Sequence, residues 1–96
     1  MNLNYLADRF IFWNLKKIAY GYLELTDSNG NTYFFGNKNN SLKANIKIND
    51  PSFALNLLRH GSSGLGESYI KNGFETNNLP ALIELSARNI NVTYKF

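Results

Sequence analysis

Between His60 and Glu75 the chain crowds together side chains that proteins use to move protons and acyl groups. An imidazole (His60), hydroxyls (Ser62, Ser63, Ser68) and carboxylates (Glu67, Glu75) fall there, interleaved with Gly61, Gly64 and Gly66. A serine nucleophile needs a base within hydrogen-bond reach and an acid to orient that base, a geometry that nearness in sequence does not supply. His60 ends a helical pattern, where an imidazole meets the terminal carbonyls favourably, and this capping role is preferred over a catalytic one. Glu67 and Glu75 could form a carboxylate pair, yet single carboxylates beside turns more often accept from backbone N–H groups. No catalytic residue is assigned, and the chain is not expected to be an enzyme on its own.

The same glycines invite a nucleotide reading. Gly61 to Ser68 reads G-x-x-x-x-G-E-S, the phosphate-loop pattern with Glu67 where the lysine belongs. A carboxylate there repels phosphate, and the stretch follows a helical pattern instead of a strand. The dinucleotide fingerprint G-x-G-x-x-G does not occur. No cofactor site, nicotinamide or methyl-donor, is therefore expected in this chain. The expectation for Gly61–Gly66 is a loop, because glycine loses much backbone entropy on folding and persists where the chain turns tightly or something approaches closely. One or two helical turns over Glu67–Lys71 are expected to follow.

Other chemistries are bounded by composition. Cysteine is absent and His60 is the only histidine, which excludes thiolate zinc and His-rich metal sites and suits a cytoplasmic location. The net charge of +3 is mild, and Lys16-Lys17 is the only adjacent basic pair, so no basic arm for nucleic acid is present. Tyr33, Phe34 and Phe35 have no flanking Lys or Arg cluster and read as sheet packing. The N-terminus lacks a basic n-region, and Asp8 and Arg9 interrupt its apolar run, unlike a signal peptide or a membrane span. The sequons Asn39-Asn40-Ser41 and Asn91-Val92-Thr93 matter only in a secretory pathway, to which nothing else points. With 96 residues, 44% of them hydrophobic, the chain has room for one modest core, a single domain over 1–96.

The elements that must position these groups follow from periodicity. Leu3, Leu6, Ala7, Phe10, Ile11 and Trp13 recur at helical spacing. Their first reading is a helix packed on its own domain; the alternative puts Phe10, Phe12 and Trp13, with Lys16 and Lys17, at a lipid interface. Gly21–Thr26 alternates as a strand, Asp27-Ser28-Asn29-Gly30 predicts a type I′ turn, and Thr32–Phe35 returns to close a hairpin at Gly36. Lys43–Asn49 alternates strictly, with Ala44, Ile46 and Ile48 inward. Asp50-Pro51 predicts a helix start with Asp50 as cap, Phe53, Ala54, Leu57 and Leu58 as buried stripe, and a stop at Gly61. Asn78-Leu79-Pro80 caps a last helix with Leu82, Ile83, Leu85 and Ala87 as its apolar side. The order predicts an α+β domain, a small antiparallel sheet of hairpin plus third strand, covered on one face by helices.

The run Gly61-Ser-Ser-Gly-Leu-Gly-Glu-Ser-Tyr-Ile70, continued by Phe74-Glu75 and Leu79, resembles the N-terminal domain of bacterial cyclopropane-fatty-acyl-phospholipid synthases. Gly21-x-Leu23-x-Leu25, Asn29-Gly30, Phe35-Gly36 and Ala44-x-Ile46-x-Ile48-x-Asp50 are similar to that family's hairpin and third strand, so nearly the whole chain is covered. Lys71-Asn72 stands where the family has an Asp-Gly step, and Phe74 where it has tryptophan. The resemblance implies a sterol-carrier-like fold and a non-catalytic module that assists an S-adenosylmethionine-dependent methyltransferase acting on acyl chains of membrane phospholipids. The implied partners are that methyltransferase domain and the phospholipid membrane, met from its inner face. The methyltransferase itself has no counterpart in these residues. Gly64, Leu65, Gly66, Glu67, Ser68, Tyr69 and Phe74 are the candidates for contact with lipid or with that domain, and Trp13, Lys16 and Lys17 for contact with the membrane surface. Three roles stay open for Gly64–Phe74: docking a methyltransferase domain, lining a groove for an acyl chain, or a tight crossover with Tyr69 packed inside. A small scaffold or dimerisation module without lipid contact is the rival reading.

Overall fold

Leu23 and Leu25 on one strand, Ala44, Ile46 and Ile48 on a second and Phe35 on a third put their side chains on a single face of one sheet, and that face is the floor of the core. The computed structural model describes residues 3–89, apart from the side chain of Ser62; the Asn91-Val92-Thr93 sequon lies outside the described residues. The elements are α1 (Leu3–Leu15), β1 (Tyr22–Thr26), β2 (Thr32–Gly36), β3 (Lys43–Ile48), α2 (Phe53–His60), α3 (Ser62–Ile70), β4 (Phe74–Glu75) and α4 (Leu79–Arg88). This is the expected α+β class, a small sheet with helices over it.

The sheet order is β2-β1-β3-β4, and it is mixed. The β1–β2 hairpin is antiparallel with Leu23 opposite Phe35, but β3 joins the other edge of β1 in parallel, with Leu23 opposite Ala44. The antiparallel expectation for the third strand is corrected here. Residues 37–42 need to cover only two strand spacings, about 10 Å, and both ends of that connection bond to the start of β1. Asn37 N–H donates to the Gly21 carbonyl, and Tyr22 N–H donates to the Leu42 carbonyl. Crossing beneath β1 makes the most apolar alternating strand central. Gly36 permits the crossing: its φ is +91°, and a Cβ there would collide with the Gly21 carbonyl oxygen.

The hairpin turn also differs in type. Asp27 Oδ1 accepts from the N–H groups of Asn29 and Asn31, at 2.9 Å each, and only Gly30 takes a positive φ, +90°. Asp27 thus builds a type I turn closed by a left-handed glycine, in place of the type I′ pair of positive-φ residues. Likewise α2 starts three residues after Asp50. The Asp50 carboxylate accepts from Ser52 N–H at 2.9 Å, making a turn that feeds the helix without capping it. The Asn78 cap holds as expected, with its side chain accepting from Ala81 N–H at 3.1 Å.

Over the floor lie Ala7, Ile11 and Leu15 of α1, Phe53 and Ala54 of α2, Phe74 of β4, and Leu82 and Leu85 of α4. Asn89 ties the end of α4 to the chain entering β1. Its Oδ1 accepts from Ala19 and Tyr20 N–H, and its Nδ2 donates to the Tyr20 and Leu85 carbonyls. No described element covers the opposite face of the sheet, which carries a stacked pair, Tyr22 and Phe34, with ring centroids 5.8 Å apart.

Asp8 sits on the side of α1 nearer the hairpin turn. Partial burial first, and the like charge of Asp27 second, push its carboxyl above the usual aspartate value. Such a group holds its proton more tightly when the chain is folded, so stability falls as pH rises through the folded pKa. Asp8→Asn is therefore expected to melt slightly above the parent at pH 7, with the difference gone near about pH 3, where both forms are neutral. Thermal melts at the two pH values check this; an equal difference at both would assign the effect to something other than the charge.

Candidate functional site

The glycine-rich stretch is a helix, which overturns its reading as a loop. Gly61 alone turns the chain, at φ +60°, and α3 begins at the next residue. Two of its glycines sit inside the helix for different reasons. Gly64 lies where α3 crosses α2, and a Cβ there would stand 2.7 Å from the Asn56 carbonyl oxygen. Gly66 has nothing near its missing Cβ and faces open space.

Helical geometry then distributes the predicted motif residues over different surroundings. Leu65 is half-buried against the core, Gly66 is exposed, and Tyr69 is partly exposed with its ring 5.5 Å from that of Phe74. Phe74 is not a surface residue at all: it is 2% exposed and packs edge-on against Phe53 at 5.4 Å. Its expected role in lipid or domain contact is corrected to a core role. The β4–β3 pairing, with Phe74 opposite Ile48, turns its side chain onto the covered face of the sheet.

Gly64, Glu67 and Ser68 do come together, on the wall of a cleft of about 440 Å³ between α2 and α3. Asn56 and His60, four residues apart, form the α2 wall, and Lys71 extends the α3 wall by one turn. Asn49, Asp50, Asn72 and Gly73 together close one end, joined by Asn49 Nδ2 donating to the Asn72 carbonyl at 3.0 Å and by the Asn49 and Asp50 N–H groups donating to the Gly73 carbonyl. Asn72 takes the left-handed conformation, φ +60°, which asparagine tolerates better than most residues.

The charges on this wall are arranged for pairing. Lys71 Nζ lies 2.7 Å from Glu67 Oε1, one helical turn away. Hydrogen bonding and attraction to Lys71 lower the Glu67 carboxyl below its usual range, with a smaller contribution in the same direction from His60. Both partners are well exposed, so the pair adds little to stability. Among the described residues no hydrogen bond joins Ser68 to His60, and Glu67 is engaged by Lys71. A nucleophile, base and orienting acid are present as types without being connected. No group of three or more His, Cys, Asp or Glu able to hold a metal occurs among the described residues.

A second candidate surface is the outer face of α1. The helix buries Ala7, Ile11 and Leu15, and turns the rest of its apolar stripe outward: Leu3, Leu6, Phe10 and Trp13 are 58%, 44%, 43% and 57% exposed. The packed-helix reading therefore holds for Ala7 and Ile11 only, two of the six residues of the predicted stripe. Lys17 Nζ stands 3.9 Å from the centre of the Trp13 ring, and Lys16 and Arg9 are exposed nearby. Asp8, the lone carboxylate of α1, lies on the other side of the helix from this row. No helix among the described residues is long and apolar enough to cross a membrane.

Asn49, Asp50 and Asn56 escaped notice as site residues. The signal was present in Asn56-x-x-x-His60 and Glu67-Ser68-x-x-Lys71, which share helix faces, but reading Gly61–Gly66 as a loop cut Gly64 from the second face and hid that α3 lies along α2. No family model, curated protein or solved structure matches the chain.

Proposed function

We propose that the chain is a non-catalytic module that attaches to a phospholipid surface through the outer face of α1 and assists an S-adenosylmethionine-dependent methyltransferase acting on lipid acyl chains. The observation that carries the attachment is the row Leu3, Leu6, Phe10 and Trp13, exposed on one helix and accompanied by Arg9, Lys16 and Lys17 without a carboxylate among them. Large apolar side chains left outside a small domain mark a contact surface. An amphipathic helix with aromatic residues on one side and cations beside them lies in the plane of a lipid interface. Each well-placed cation adds about 1 kcal/mol of attraction to an anionic leaflet. The methyltransferase partner rests on the resemblance of Gly61–Ile70 and its flanking strands to the cyclopropane-synthase N-terminal domain.

The same row supports the rival scaffold reading. Leu3, Leu6, Phe10 and Trp13 follow i, i+3, i+7, i+10, the seam spacing of a short coiled coil. Two copies meeting there in parallel would bring Lys17, Lys16 and Arg9 of one near the same residues of the other, a repulsion that a lipid surface does not impose.

Flotation with anionic and zwitterionic vesicles, at low and high salt, tests the choice. Recovery with anionic vesicles that declines with salt is expected, since screening shortens the reach of exposed charges. Trp13→Ala and Phe10→Ala should reduce that recovery without lowering the melting temperature. Absence of recovery under every condition, with a concentration-dependent dimer in sedimentation equilibrium, would replace the lipid reading by the scaffold. Co-purification of a methyltransferase chain tests the remaining part.

A further inference from the structure

The cleft between α2 and α3 contains a polar group that folding leaves unused. Ser68 is only 7% exposed, and its side chain has no hydrogen-bond partner among the described residues. No enclosed side-chain oxygen or nitrogen of the described residues lacks a partner, so the Ser68 hydroxyl must open into the cleft that it lines. A hydroxyl held on a cleft wall with its only access to solvent through that cleft is available to a ligand that displaces the water there. Asp50 is the second uncommitted group. One of its oxygens accepts from Ser52 N–H, and no ion pair among the described residues neutralises it. Asn56, on the facing wall, adds an amide whose side chain is also without a hydrogen-bond partner among the described residues.

Electrostatics selects among ligand classes. Glu67 and Lys71 neutralise each other at 2.7 Å, leaving the Asp50 carboxylate as the uncompensated charge of the cleft. An anion is repelled by it. A neutral polyol leaves it unmatched. A primary ammonium supplies one positive charge and N–H donors for the Asp50 carboxylate, the Ser68 hydroxyl and the Asn56 amide oxygen. Hydrogen bonds with an ionised donor and acceptor are about twice as strong as neutral ones. We propose that the α2–α3 cleft binds a small primary ammonium compound, with Asp50 as its counter-ion and Ser68 as the deepest hydrogen-bond acceptor. The volume of about 440 Å³ suits a ligand somewhat larger than the ammonium group itself, its far end meeting the His60 and Lys71 rim. The site is independent of the α1 surface and of the lipid reading.

The test titrates the ¹⁵N-labelled chain with ethanolamine, and separately with choline at equal ionic strength, following backbone amide shifts. Choline has the same charge but no N–H on its nitrogen. Ethanolamine should move amides of residues 49–50, 56 and 64–73, with an apparent affinity about tenfold or more above that of choline. Asp50→Asn keeps an oxygen for Ser52 N–H while removing the charge, and should weaken ethanolamine binding about tenfold or more. Ser68→Ala should weaken it less, and Trp13→Ala should leave it unchanged, which separates this site from vesicle attachment. Equal responses to ethanolamine and choline, an unaltered titration in Asp50→Asn, or no shifts up to about 100 mM, well beyond the millimolar range of weak specific binding, would each overturn the proposal. Vesicles with amine headgroups then identify the source. Shifts at the same amides mean that a lipid headgroup can present the ammonium; shifts with soluble ethanolamine alone mean a free amine.

Discussion

Phe74→Ala is expected to remove much of the domain's stability, and any loss of lipid binding in that variant would be a consequence of that destabilisation. Phe74 and Leu85 are the largest fully buried side chains among the described residues. The Phe74 ring fills the space between Phe53 of α2, Tyr69 of α3 and the sheet, so its removal leaves a cavity at the junction of three elements. Truncating a buried phenylalanine to alanine typically destabilises by about 3–5 kcal/mol. A domain of this size has roughly 5–10 kcal/mol in total, so most of the margin goes. Surrounding side chains can collapse only partly, because β4 is two residues long and is held to β3 at Ile48 and Lys47. Denaturant unfolding checks the prediction: the midpoint should fall with little change in slope. A variant with parental stability that lost vesicle binding would restore Phe74 to the surface. Trp13→Ala makes the contrast, since a residue more than half exposed on α1 contributes little to the core.

That contrast shows what a single sequence reveals and what it conceals. Strand alternation is local, and Ala44, Ile46 and Ile48 all point inward as their spacing demands. The Asn78 cap is equally local, needing only a side-chain oxygen and an N–H three residues on. The sheet partner of β3 is not local. Alternation says which face is buried but not whether a strand pairs with β2 or passes beneath β1, and the crossing depends on Gly36 meeting Gly21 across the hairpin. The α1 stripe was visible, but its width was misleading: Ala7, Ile11 and Leu15 suffice to cover the core, and Leu3, Leu6, Phe10 and Trp13 exceed what one domain covers. For the cleft, Glu67 and Ser68 were legible as unusual residues. Asp50 was legible only as a helix start, because its neighbourhood forms when α3 folds back along α2. Phe74 and Tyr69 neighbour them in sequence, but the helix and turn bring these two rings together outside the cleft lining.

Gly64 and Gly66 give the sharpest test of this account, because one substitution at two nearby positions should have opposite signs. Glycine inside a helix is unfavourable relative to alanine by about 1 kcal/mol. At Gly66 nothing opposes a methyl group, so Gly66→Ala should stabilise the domain by roughly 0.5–1 kcal/mol. At Gly64 the new Cβ would stand 2.7 Å from the Asn56 carbonyl oxygen and 3.2 Å from the His60 Cβ. The first neighbour is backbone inside α2, where it cannot swing aside as the end of a side chain would. Relief requires the two helices to part, against the packing of Phe53, Ala54 and Leu65. Overpacking of this kind costs about 1–3 kcal/mol, which exceeds the gain in helix propensity. Gly64→Ala should therefore lower the melting temperature while Gly66→Ala raises it. Parting α2 from α3 also moves Asn56 and His60 away from Ser68, so Gly64→Ala should weaken ammonium binding in chain that is still folded, whereas Gly66→Ala leaves it unchanged. Stabilisation by both substitutions would mean that α3 does not press against α2. The cleft would then lack the fixed walls on which its selectivity depends.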